Sequence, residues 1–102
     1  MTLPGLDPLI HAPVRLQICA ILSAVDEAEF ALVREETEVS ESVLSKQVKL
    51  LEEAGYVNVR KATLASRQRT WLALTAPGRK AFAAHMQALT KLAEAASKGI
   101  AK

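Results

Sequence analysis

Residues 40–57 read Ser-Glu-Ser-Val-Leu-Ser-Lys-Gln-Val-Lys-Leu-Leu-Glu-Glu-Ala-Gly-Tyr-Val. Ser40 is a good helix N-cap, because its hydroxyl oxygen can accept from a free backbone N–H in the first turn. Val43 stands where a capping box needs Glu or Gln, so the cap is a single one. Gly55 supplies the left-handed residue that closes a helix. A helix is therefore predicted over Glu41 to Ala54. At about 100° per residue, Leu44, Val48 and Leu51 form one stripe that must face a core. Val43, Gln47 and Leu50 flank it on one side. The far face presents Ser42, Ser45, Lys46, Lys49 and Glu53. Hydroxyls and ammonium groups donate to phosphates and base edges, and short side chains let a helix sit deep in a major groove. A solvated helix face also carries such residues, so the flanking elements decide the reading.

Downstream, the apolar period changes. Tyr56, Val57, Val59, Trp71, Leu72 and Leu74 are strand formers. Two strands, about Val57 to Ala62 and Arg69 to Thr75, flank the polar stretch Thr63 to Gln68. This predicts an antiparallel hairpin with a loose tip, carrying Arg60, Lys61, Arg67 and Arg69 near its end. Arginines on such a ribbon can reach a minor groove or the phosphate backbone, although charge also protects edge strands. Thr75 can cap a last helix with Pro77 in its first turn, running to about Ser97. Along it Phe82, Met86, Leu89, Ala93 and Ala96 step by four, three, four and three, a heptad seam. One small domain does not easily bury such a helix along its whole length, so a homodimer is expected.

Upstream, Pro4, Gly5 and Pro8 mark an irregular arm over residues 1–8. Pro13 opens a helix to about Ala24, with Val14, Ile18, Ile21 and Leu22 at helical spacing. Leu16, Cys19 and Ala20 make its other side apolar too. Leu16 and Cys19 are accordingly assigned to the dimer interface with the seam of the last helix. Asp26 is read as the cap of a second helix to about Glu38, with Glu27 and Glu29 in its first turn. The order is helix, helix, helix, hairpin, long helix. That is a mainly α, α+β winged helix-turn-helix, expected as a single domain over 1–102 with 76–98 as the dimerisation helix.

Composition narrows the function classes. Net charge is +2 overall. From Ser40 to Lys80, however, eight basic residues stand against three acids, and the remainder of the chain is net negative. A local basic block fits a polyanion footprint. The single cysteine excludes an intramolecular disulfide and points to a reducing compartment. No secretory signal or membrane-length apolar run is read, so a cytoplasmic protein is expected. Cys19, His11 and His85 are far apart in sequence, so no metal and no cofactor are expected. His11 and His85 are read as surface or helix-end residues, and Cys19 as a buried structural thiol in preference to a redox switch. There is no nucleophile–base pairing and no Gly-rich phosphate loop, which argues against an enzyme.

The run Ser40 to Val57 resembles the recognition helix of winged-helix regulators related to the MarR and ArsR families. Arg67-Gln68-Arg69-Thr70-Trp71-Leu72-Ala73-Leu74-Thr75-Ala76-Pro77-Gly78-Arg79 is similar to their wing strand and next helix start, and His11 to Leu16 to their first-helix opening. The resemblance implies double-stranded DNA as partner. It implies Ser42, Ser45, Lys46 and Lys49 in the major groove, with Ser40 at the helix start, and Arg67 and Arg69 on the wing. Arg60 and Lys61 join the same set by charge. A small-molecule effector has room between the dimer helices and the DNA-binding lobe, though no residue set demands one. The alternative is a winged-helix protein-interaction module docking an acidic partner.

Overall fold

A computed structural model describes residues 4–100. In chain order the elements are α1 (Pro8–His11), α2 (Pro13–Ser23), β1 (Ala28–Glu29), α3 (Phe30–Thr37), α4 (Glu41–Glu53), β2 (Val57–Leu64), β3 (Arg67–Leu74) and α5 (Ala76–Ile100). The expected helix-turn-helix, hairpin and long helix are all present. Ile18, Leu22, Val33, Leu44, Leu51 and Leu72 are fully buried and join the helices to one face of the sheet. Burial of each such side chain contributes about 1.5–3 kcal/mol.

Three elements differ from expectation. The segment Asp26 to Glu29 does not start a helix. Ala28 and Glu29 pair with Leu72 and Trp71, giving a three-stranded antiparallel sheet in the order β1-β3-β2. The free edge of β3 would otherwise leave backbone groups unpaired, and Ala28 is small enough to be buried there. The helix begins only at Phe30, with no side-chain cap.

Part of the expected arm is also a helical turn. Pro8 occupies its first position, and the Asp7 carboxylate caps it by accepting from the Leu9 amide at 2.9 Å. Met1 to Leu3 lie outside the described residues.

The third difference is the hairpin, which is tight. Pairing continues to Leu64 opposite Arg67, leaving only Ala65 and Ser66 in the turn. Both have positive φ, 51° and 65°, as a two-residue turn matched to strand twist requires. Neither residue is glycine or asparagine, so the usual sequence signal for this turn is missing. Left-handed backbone costs such residues on the order of 1 kcal/mol each. Replacing the pair by Asn-Gly should therefore raise stability by about 1 kcal/mol, read as a shifted denaturant midpoint at unchanged slope.

The ends of α4 behave as read. The Ser40 hydroxyl accepts from the Val43 amide at 3.2 Å. Gly55, at φ +81°, donates to the Glu52 carbonyl, and the Tyr56 amide donates to that of Leu51. These two bonds form a Schellman closure. Tyr56 leads directly into β2, so the end of α4 fixes where the wing begins.

Candidate nucleic-acid interface

The apolar stripe of α4 is buried, with Leu44 and Leu51 at 0% exposure and Val48 at 5%. That orientation turns Ser42, Ser45, Lys46, Lys49 and Glu53 outward, and all five are exposed. Ser40 is exposed too, but its oxygen is engaged in the cap and lies 3.2 Å from the Ser42 hydroxyl. Gln47 is half-buried and held from behind. Arg15 of α2 donates from Nη1 to the Gln47 Oε1 at 2.5 Å and from Nε to the Leu9 carbonyl at 2.6 Å. The guanidinium thereby fixes the rotation of α4 relative to α2. Nothing in the sequence around Arg15 signals a partner 32 positions away.

The four wing bases do not form one cluster. Lys61 lies on the sheet face turned toward α4. It lines a groove of about 350 Å³ between α4 and the sheet, together with Ser45, Lys49 and Thr70 and with Glu41 and Glu52. Arg60 lies on the other face, opposite Trp71, with its guanidinium 5.5 Å from that ring and paired to Glu27 at 2.6 Å. Arg69 pairs with Glu29 at 3.2 Å, so the β1 segment supplies a carboxylate to the wing. Arg67 is exposed beside the tight turn. Among the described residues Arg60 and Arg69 alone form ion pairs. Lys46, Lys49, Lys61 and Arg67 are thus the expected contact residues without a carboxylate partner. Exposed pairs such as Arg60–Glu27 contribute only about 0–1 kcal/mol, so a phosphate can compete for them.

The residues assigned to self-association divide as well. Cys19 is fully covered by its own chain and belongs to the core, which removes it from any contact with a partner copy. Burial pushes its thiol up to about 11, the Asp7 carboxylate adds to this and Arg15 opposes it, so little thiolate exists at neutral pH. Leu16 and Phe82 are half-buried against the core. Met86 is 41% exposed, Leu89 is half-buried, and Ala93 and Ala96 are exposed. In the second half of α5, residues 91–99 are all exposed.

His85 departs furthest from expectation. It is a fully buried residue, not a surface one, and its ring meets the Asp7 amide and the His11 ring. The Asp7 carboxylate in turn accepts from the Tyr56 hydroxyl at 2.5 Å. Among the described residues no group of three His, Cys, Asp or Glu side chains is placed to hold a metal ion. No described helix is long and apolar enough to cross a membrane.

An α3–α4 helix-turn-helix followed by a basic two-stranded ribbon defines a winged-helix domain of the kind found in transcriptional regulators. The chain belongs to the winged helix DNA-binding domain family, whose model matches residues 14–93. Protein MJ0432 of Methanocaldococcus jannaschii is 28% identical over 86 residues, covering 84% of this chain and 94% of that protein. The transcriptional regulator homologue of Pyrococcus horikoshii has the same fold at a TM-score of 0.80, with 24% identity over 85% of this chain and 86% of that one. NadR, solved in complex with 4-hydroxyphenylacetate, matches at 0.71 with 21% identity, over 91% of this chain and 68% of its own. The matched family is one of DNA-binding domains, not of enzymes.

Proposed function

We propose that this protein binds double-stranded DNA sequence-specifically as a homodimer and regulates transcription. The observation that carries the reading is the outward face of α4. Ser42, Ser45, Lys46 and Lys49 are exposed, and neither lysine is in an ion pair, while the opposite stripe anchors the helix in the core. In this reading residues 40–54 enter the major groove. The wing, residues 57–75, lies on the backbone or in the adjacent minor groove through Lys61 and Arg67, with Arg60 and Arg69 recruited from their exposed pairs.

Self-association uses the apolar seam of α5, from Phe82 through Met86 and Leu89 to Ala93 and Ala96, with Leu16 at its edge. A coiled-coil-like pairing of this seam gives α5's exposed end a partner. Two-fold symmetry then sets two reading helices about 34 Å apart, roughly 10 base pairs along one face of the duplex. A small-molecule effector, for which the ligand of NadR is a precedent, would enter between the paired helices and the DNA-binding lobe.

Selection of bound duplexes from a random pool tests the reading, with the mass in solution measured alongside. Recovery of a pseudo-palindrome with half-sites about 10 base pairs apart, by a species of twice the chain mass, is the expected result. No enrichment over input, at any salt concentration that keeps the protein soluble, would sink it.

A further inference from the structure

We propose that His85 and His11 form a proton-operated latch, which fastens the N-terminal segment, residues 4–9, to α5 at neutral pH and releases it on acidification, while Ile10 stays in the core. The geometry allows one arrangement of protons. The Asp7 backbone N–H donates to Nδ1 of His85 at 3.0 Å. A ring nitrogen that accepts carries no hydrogen, so the single proton of the neutral His85 imidazole is on Nε2. That nitrogen lies 3.2 Å from Nδ1 of His11 and donates to it, which leaves the proton of His11 on its own Nε2. Every site facing inward is then matched.

A further proton has no place in this arrangement. Added to His85, it sits on Nδ1 and points at the Asp7 N–H. Added to His11, it sits on Nδ1 and points at the Nε2–H of His85. Either way two donors meet head-on around a ring that is 0% exposed, and a buried unmatched donor is costly. The surrounding groups relieve this only in part. The Asp7 carboxylate already accepts from the Leu9 amide and the Tyr56 hydroxyl. On α2, Cys19 is an un-ionised thiol and Arg15 is a cation committed to the Leu9 carbonyl and Gln47. Burial, then the neighbouring His11, hold the His85 imidazole below its usual pKa, while the Asp7 carboxylate acts the other way.

The sign of the pH effect follows. A released His85 titrates near about 6.5, whereas the latched ring titrates lower. Between those values the released state binds more protons, so acid favours release. The latch is complete above the released value and weakens as pH falls from there toward the latched one.

Its opening has a structural reach. Gly5 lies so close to α5 that a Cβ there would sit 3.1 Å from the Ala84 carbonyl oxygen, so release uncovers α5 around Ala84 and Ala88. Release also takes the Leu9 carbonyl, one of its two acceptors, from the Arg15 guanidinium that holds Gln47 on α4. The segment therefore links the long helix to the reading helix.

Nuclear magnetic resonance of the full chain between about pH 7.5 and 5 tests this without DNA. At the upper end the ring nitrogens of His85 should report a bare Nδ1 and a protonated Nε2. Protection of the Asp7 and Leu9 amides against hydrogen exchange should be progressively lost across the range, while Leu44 and Leu72 in the core hold theirs. His85→Asn, whose side-chain oxygen can accept from Asp7 without titrating, should give segment protection that is flat with pH. His11→Gln, a change at an exposed ring, removes the opposition of His11 to charging, so the step should move to higher pH. The opposite tautomer of His85, segment protection that falls only in parallel with the core, or a step unmoved by His11→Gln would each overturn the latch.

Discussion

Gly78→Ala is expected to lower the melting temperature by more than about 10 °C. A Cβ at this position would lie 2.2 Å from the Tyr56 carbonyl oxygen, 2.9 Å from its carbon and 3.0 Å from its Cα. All three are backbone atoms, so no side chain can rotate out of the way. Gly78 is at the start of α5 and buried, and its role is spatial: it lets the first turn of α5 rest on the chain leaving α4. To admit a methyl group the two must separate, and the bonds at the junction go with them. The Thr75 amide donates to the Tyr56 carbonyl at 3.0 Å, and the Thr75 hydroxyl donates to the Gly55 carbonyl at 2.6 Å. The same hydroxyl accepts from the Gly78 amide at 2.9 Å as the cap of α5.

Overpacking against immovable atoms costs about 1–3 kcal/mol, and a lost cap adds about 1 kcal/mol. For a domain of this size each kcal/mol shifts the midpoint by about 4–8 °C. Thermal unfolding followed by circular dichroism gives the answer, with Gly99→Ala as the control, since a Cβ there meets nothing within 4 Å. If Gly78→Ala melts within a degree or two of the unchanged protein, the close approach of α5 to Tyr56 is not as described.

The second large effect concerns binding. Lys46→Ala combined with Lys49→Ala is expected to weaken specific DNA binding by about 10- to 100-fold. Both ammonium groups stand on the exposed face of α4 and have no ion-pair partner among the described residues. Each one that meets a phosphate releases a counterion, so removing two should flatten the logarithmic salt slope by about 2 per protomer. Stability should move by less than about 0.5 kcal/mol, because neither side chain packs in the core. Titrations at several salt concentrations separate this from a folding defect. Affinity and slope both unchanged would remove α4 from the DNA contact, whatever else the protein binds.

The features legible in the sequence are those set by neighbours along the chain. The cap at Ser40, the closure at Gly55 and the stripe of Leu44, Val48 and Leu51 all lie within 16 residues of one another. They fix a helix, its length and the face that turns away from the core. The hairpin announced itself by strand formers on both sides of a polar tip, but its turn residues gave no glycine or asparagine to mark the tight geometry. The short strand at Ala28 was hidden by acids that suit a helix start equally well, and only the open edge of β3 decides between the two.

By itself, then, the sequence determined the winged-helix order and which side of α4 turns away from the core, because local periodicity and capping carry that information. Tertiary structure alone decided the burial of His85 against Asp7 and His11, the hold of Arg15 on Gln47 and the need for Gly78 beneath Tyr56. The two histidine contacts join positions 78 and 74 residues apart, and the Arg15–Gln47 bond spans 32. No local pattern encodes a contact at such separation. It exists only because packing of the apolar faces brings those backbones together, and polar groups trapped there must then find one another.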